Sequence, residues 1–470
     1  MKARLLRLSA TLRESYWFVP TIMALAALLL ALTTVTIDSH AGTMAWTTGL
    51  PGLDAARADG ARSLLSAIGG SMIGVAGTTF SVTIAAVVYA SGQYGPRLLS
   101  NFMSDRGNQV TLGTFIATFV YSLVVLRTIR SAGEGGTGAA AFVPQLALLI
   151  ALVLVLCSIA VLIYFIHHVP MRIHINSVIE QIGGRLVHDI EARFPAKDEP
   201  APANHAGDLP VPQALSADAP LAGQEQPAPI LSYGIGYIQV IDEGAVIEAA
   251  RAHDMVVRLH RQPGDFVHKH SLLMTAWPAG KCSEQAAAAL RQACALGSRR
   301  SALQDLRFLI DELVEIAARA LSPGVNDPFT ASSCLDWLGA AMATLAQRRL
   351  PPCERVDADG QLRLLLLPVT FDDFIERAFG ALAQYASADM IAGKRFLDSL
   401  GDVAHHCDDP ALIATLARQA RAFRALAANT LDGACRDAVV GRADSVLAAL
   451  ARATGESLCA GTTARMEGIT

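Results

Sequence analysis

The sequence predicts a multi-pass α-helical membrane domain of four transmembrane helices followed by a mostly helical α+β domain. Three observations carry that expectation. Four apolar runs before residue 170 are long enough to cross a bilayer, which takes about 20 apolar residues. Hydrophobic residues make up 52% of the 470-residue chain and mean hydropathy is +0.37, too apolar for a wholly soluble protein. Beyond a Pro- and Ala-rich stretch, apolar residues recur at helical spacing, interrupted by a few strand-like runs.

The division expected is a transmembrane domain over 1–170 with spans at about 16–37, 63–90, 110–126 and 141–166, then a connecting helix over 171–194. A linker over 195–229, a small mixed α/β segment over 230–280 and a mainly helical domain over 281–470 complete it. Lys2, Arg4, Arg7 and Arg13 precede the aromatic cluster Tyr16, Trp17 and Phe18, which leads into an apolar run to Ile37. That run exceeds the apolar core of a signal peptide, about 7–15 residues, so it reads as an uncleaved first span with its basic end in the cytoplasm. The polar connection from Ser39 to Arg62 is then external, and the second span returns the chain to a turn at Gly95-Pro96. The third span ends at Arg127 and Arg130 before an external loop, Gly133 to Gly138, and the fourth ends in His167 and His168. Four crossings place both termini on the cytoplasmic side.

The second span, SLLSAIGGSMIGVAGTTFSVTIAAVVYA, carries no charge and more Gly, Ser and Thr than a lipid-facing helix needs. Ser66, Gly70, Gly74 and Thr78 recur every fourth residue, with Ser81 beyond them, so one helical stripe lets another backbone come close. The hydroxyls of Thr78, Thr79, Ser81 and Thr83 either meet water or ions within the membrane or bond to their own helix's carbonyls. The stripe is thus a candidate for helix packing or for lining a pore that passes a small ion or solute. One subunit of four spans scarcely encloses a conduit, so the pore reading requires a homo-oligomer. The absence of mid-span Asp, Glu, Lys or Arg weakens a proton-coupled pump.

After the spans, the residues near Ile173 to Ile190 have near-helical spacing, and 195–229 changes to Pro, Ala and Asp without apolar periodicity. GYIQVID, MVVRLHRQ and the residues after the Pro263-Gly264 turn read as strands, and EGAVIEAARAHD as a helix. Helical stripes are expected over Ala287 to Leu296, Leu303 to Leu321, Thr330 to Leu345, Phe374 to Tyr385, Leu412 to Leu426 and Val439 to Leu450, with one strand at Leu362 to Leu367. In the second of these, Leu303, Leu306, Ile310 and Leu313 share a face, while Arg307 with Asp311 and Glu315 with Arg319 pair at four-residue spacing. Asp305 and Glu312 are assigned to the solvated side. The turn SPGVNDP ends that helix, and Asn326 or Asp327 caps the next with Pro328 in its first turn. Ser322, Asn326 and Asp327 are therefore candidates either for a structural cap or for a ligand site, since a helix N-terminus can hold an anion.

A net charge of -4 and a sequence pI near 6.3 show no basic balance for nucleic acid, so none is expected as a partner. The eight cysteines lack CxxC spacing, and the clusters His167, His168, His174 and His253, His260, His268, His270 lack a ligand motif; no metal site is expected. GxSxG and Walker-type patterns are missing, and Tyr233 to Tyr237 has glycine spacing without the third Gly, so no catalytic residue or cofactor is assigned. GVAGTTFSVTIAAVVYASGQYGPRLLSNFMSD, LGTFIATFVYSLVVLR and QDLRFLIDELVEIAARALSPGVNDPFTA, with the four-span layout, resemble the bacterial membrane proteins of the domain of unknown function 2254 family. The resemblance covers most of the chain outside the Pro-rich stretch. It implies a bacterial inner membrane location and brings no substrate or catalytic residue. The expectation is an oligomeric channel or transport-related protein in the lipid bilayer, with a cytoplasmic gating or regulatory domain; the alternative is a membrane-anchored sensor or scaffold. An enzyme ranks behind both.

Overall fold

The computed structural model of the protein describes residues 15–40, 57–95, 105–131, 142–199, 211, 212, 215 and 226–466. The basic N-terminus, most of the connections after the first and third apolar helices, the turn from Pro96 and much of the 195–229 stretch lie outside the described residues. The chain divides into two compact units, Ala10–Ser177 and Val178–Thr470.

The first unit is built on α1 (Phe18–His40), α2 (Ala58–Tyr94), α3 (Arg106–Thr128) and α4 (Gln145–Ile173). All four are long and apolar enough to cross a membrane. The chain is a membrane protein of the expected class, four apolar helices followed by a mostly helical domain with some sheet. Helix α3 packs against each of the other three and is the most buried of them. Small residues make that possible: Ala27 and Ala31 of α1, Ala117 of α3, and Ala147 and Ala151 of α4 share one buried cluster with Leu65 and Val125. Close backbone approach is what replaces the hydrophobic driving force in lipid. Hydroxyls tie the helices where carbon cannot, Thr34 to Tyr121 at 3.0 Å and Thr118 to Ser158 at 3.0 Å.

The second unit begins within α5 (Ile175–Arg193), whose buried stripe is Val178, Ile179, Ile182, Leu186 and Ile190. Gly183 interrupts it because the Trp337 ring lies where a Cβ would stand, 2.5 Å away. Two small sheets follow. One has five strands in the order β1 (Ala228–Leu231), β5 (Leu272–Trp277), β3 (Val256–Leu259), β8 (Leu362–Leu365), β7 (Glu354–Val356), antiparallel except for the β3/β8 pair. The other is β4 (Phe266–Val267), β2 (Gly236–Ile241), β6 (Cys294–Gly297), all antiparallel. Helices α6 (Glu243–Ala252) and α7 (Glu284–Gln292) close the core with Val246, Ala250, Ala286 and Leu290 packed on Ile238, Val257 and Met274.

The remainder is helical: α8 (Leu306–Ala320), α9 (Pro328–Ala346), α10 (Phe371–Ile375), a π-helical turn at Glu376–Gly380, α11 (Ala381–Ala386), α12 (Met390–Ala404), α13 (Pro410–Thr430) and α14 (Gly433–Met466). Through its centre Phe396 stacks on Phe423, with ring centroids 4.1 Å apart, and meets Phe379 edge to face at 5.4 Å.

Several readings of the sequence change here. The run Ala287 to Leu296 is not one helix, because α7 stops at Gln292 and Leu296 belongs to β6. Leu303 lies before α8 and is 36% exposed, so it is not on that helix's buried face. Strand β7 and helix α12 were not expected, and β1 starts within the stretch assigned to linker.

Candidate functional site

Helix α2 presents two unlike faces. Ala61, Leu65, Ile68, Met72, Ala76 and Val87 are buried against the chain's own helices, and Gly69 faces Phe119 and Ser122 at 3.8 and 3.9 Å. Ser66, Gly70, Gly74, Thr78 and Ser81 are all exposed. At about 3.6 residues per turn they stand roughly half a turn from the packed face. A Cβ added at Gly70, Gly74 or Gly77 would meet nothing within 4 Å. Among the described residues, the small-residue stripe is therefore not where the helices pack on one another. Its hydroxyls bond back along the helix, Thr78 Oγ1 to the Gly74 carbonyl at 3.1 Å and Ser81 Oγ to that of Gly77 at 2.9 Å. Thr79 and Thr83 lie on the buried face instead.

Both ends of the four-helix unit are tied by carboxylates. Asp38, near the end of α1, accepts from the backbone N–H groups of Leu146 and Ala147 at 3.2 and 3.0 Å, supplying partners for the open first turn of α4. At the other end Asp105 caps α3 through Gly107 N–H at 2.9 Å and takes His168 Nε2 of α4 at 2.8 Å. The far nitrogen of His168 meets Tyr164 OH at 3.0 Å, and the two rings stack. Gly107 is required there, since a Cβ would fall 2.5 Å from His168 Nε2. Of the three histidines grouped after the fourth span, His167 and His174 are exposed and His168 alone is drawn in.

In the SPGVNDP turn, Asp327 is the N-cap of α9. It accepts from Thr330 N–H at 3.1 Å and from Thr330 Oγ1 at 2.6 Å, and these bonds hold its carboxyl below the ordinary range. Asn326 takes a left-handed φ of 51°, and Asp327 N–H returns to the Ala320 carbonyl at 2.8 Å, closing the end of α8. Ser322 Oγ donates to the Arg319 carbonyl at 2.6 Å. Beside them Val325 and Phe329 are exposed, Phe329 at 70%.

The α8 carboxylates are the largest correction. Asp305 and Glu312 are each only 2% exposed, not solvated. Arg307 pairs with Asp305 at 3.2 Å and Asp265 at 3.3 Å and does not turn to Asp311. Asp305 also accepts from Arg300 Nε and Nη2 at 3.0 and 2.6 Å. Asp311 instead receives Arg300 Nη1 and, at 2.6 and 2.8 Å, Arg377 of the π-helical turn. Burial pushes the Asp311 carboxyl up, but the Arg377 and Arg300 guanidiniums outweigh it and hold its pKa below the ordinary value. Glu315 and Arg319 do pair as spaced, at 3.5 Å. The network fastens the turn before β4, the approach to α8 and the π-helical turn to one another. Spacing within a single helix could not reveal it, because Asp265 and Arg377 lie far away in the chain.

The model of the family described as predicted membrane protein (DUF2254) matches residues 13–402. An uncharacterized protein of Mycobacterium bovis is 32% identical over 388 residues, covering 82% of this chain and 71% of its own length. An uncharacterized protein of Mycobacterium tuberculosis matches at the same identity and coverage. No solved structure matches. With the match running from before the first span into α12, this chain belongs to the DUF2254 family of predicted membrane proteins.

Proposed function

We propose that the protein is a subunit of a homo-oligomeric channel or transport-related assembly in the bacterial inner (cytoplasmic) membrane. In this reading α2 helices of neighbouring copies meet along Ser66, Gly70, Gly74, Thr78 and Ser81 and line a path for a small ion or solute. Both termini and the second unit lie in the cytoplasm, where that unit gates or regulates the path. The observation that supports it is the stripe's position, opposite the packed face of α2 with open space over Gly70, Gly74 and Gly77. Against acyl chains such a stripe forfeits contact that a row of Leu would make, whereas against another helix it permits close backbone approach. The hydroxyl oxygens keep acceptor capacity for water after bonding to their own carbonyls.

The test pairs two glycines. Gly74→Leu is expected to weaken self-association in lipid nanodiscs and reduce ion flux in liposomes, with the unfolding midpoint unchanged. Gly69→Leu drives into Phe119 and Ser122 and is expected to lower that midpoint instead. A wild-type protein that is monomeric in lipid and passes no ions sinks the proposal, as does a Gly74→Leu variant that assembles and conducts normally.

The membrane-anchored sensor or scaffold is favoured by a different observation: the second unit holds a hydrophobic core of its own around Ile238, Val257 and Met274. Under that reading the second unit, residues 178–470 with α5 and β1 included, folds alone and binds a ligand or partner, and the spans tolerate replacement by unrelated ones.

A further inference from the structure

A pocket of about 300 Å³ opens in the second unit between α7 and the two sheets. That is the lower end of the range for small-molecule sites, roughly 300–1,000 Å³. Its walls are Leu273 of β5, Leu296 and Cys294 of β6, and Ala288 of α7. Burial pushes the Cys294 thiol up to about 12, so this wall is uncharged at neutral pH.

The mouth is different in character. Arg291 reaches across it with its guanidinium carbon 4.1 Å from the centre of the Tyr233 ring. Arg291 Nη2 and Tyr233 OH, the latter at 3.2 Å, both donate to the same atom, Glu284 Oε1. Two donors from different elements thus converge on a single carboxylate oxygen at the rim of an apolar cavity. The side chain of Arg291 is 13% exposed, whereas that of Glu284 is 76% exposed. Arg291 is thus largely enclosed, while the carboxylate it holds stands in solvent. An ion pair whose acid stands in solvent contributes little, so Glu284 can give way to another carboxylate without leaving Arg291 unpaired.

We propose that this pocket binds a small monocarboxylate with a short apolar tail or ring, its carboxylate replacing Glu284 on Arg291 and Tyr233 and its apolar part resting on Leu273, Ala288 and Leu296. Glu284 then acts as an internal competitor that sets the affinity. The site lies wholly within the second unit and is independent of assembly through α2.

The experiment uses the full chain in zwitterionic lipid nanodiscs, with 4-fluorobenzoate as the probe and ¹⁹F NMR line broadening as the readout. Glu284→Ala is expected to bind the probe roughly tenfold more tightly than wild type, and Arg291→Gln at least about tenfold more weakly, the size of one charge-assisted hydrogen bond. Ala288→Phe fills the cavity away from the donors and is expected to abolish binding while the urea midpoint stays within error of wild type. The neutral 4-fluorobenzamide is expected not to displace the acid. The proposal is overturned if neither wild type nor Glu284→Ala binds the probe, if Arg291→Gln binds it as well as wild type does, or if the amide binds as tightly as the acid.

Discussion

Gly264 and Asp305 give the most exacting test of the buried charge network, because one residue is shaped around the other. Gly264 has φ of 93°, and a Cβ there would fall 1.9 Å from Asp305 Oδ2. Asp305→Ala leaves Arg300 and Arg307 without their shared carboxylate. Breaking a fully buried pair costs about 3–5 kcal/mol. Here Arg300 keeps Asp311, and Arg307 keeps Asp265 and the Pro263 carbonyl, so the loss belongs at the low end, about 3 kcal/mol. Gly264→Ala adds left-handed backbone strain of about 1–2 kcal/mol and displaces the carboxylate from its 2.6 and 3.0 Å bonds to Arg300, a loss of similar size to removing it. Alone it should cost about 4–5 kcal/mol.

In the Asp305→Ala background the methyl has no carboxylate to strike, and only the strain remains. The double variant should therefore cost about 4–5 kcal/mol where the two singles sum to about 7–8, a coupling near 3 kcal/mol. Urea unfolding of the full chain in nanodiscs, followed by tryptophan fluorescence, reads the cycle. Trimethylamine N-oxide can be added to hold the folded baselines of the weaker variants. Additivity to within about 0.5 kcal/mol would show that the turn before β4 and Asp305 do not constrain each other, and the account of the network would fail.

Two further outcomes follow from the same unit. The folded pKa of Asp311 is depressed, so its contribution is present above the unfolded value, about 3.9, and is lost as pH falls through the folded one. The stability difference between wild type and Asp311→Asn should thus be constant from pH 7 to about 5 and shrink below about 4; a difference that persists unchanged to pH 2 refutes the assignment. Asp327→Ala removes the acceptor for Thr330 N–H and Oγ1 and should cost roughly 1 kcal/mol if the residue is a cap. Unchanged stability accompanied by lost flux or ligand binding would instead give Asp327 a functional role.

What was legible in the sequence depended on whether the deciding interaction was local. The four spans follow from runs of apolar residues, and the Asp327 cap from Pro328 directly after it in the same seven-residue turn. Strand β6 was hidden because CALG reads equally well as the tail of α7; it becomes a strand only by pairing with β2, some fifty residues earlier. Helix α12 carries its signal locally, since Asp389 caps it and Ala392, Phe396, Leu400 and Val403 mark its buried face.

The α8 carboxylates mark the other limit. A period of four is the spacing of a solvated salt-bridge ladder, and from one helix alone Arg307 and Asp311 fit it. The fold overrides that pairing by bringing Asp265, Arg300 and Arg377 to the same place, and Arg307 and Asp311 each take partners from elsewhere in the chain at 2.6 to 3.3 Å instead of each other. The stripe on α2 fails to declare itself for the opposite reason. Its pattern is plain, but a stripe of small residues specifies only that something comes close. Among the described residues that face stays open, because the side chains that pack α2 within the chain, Leu65, Ile68, Met72 and Ala76, stand on its opposite side.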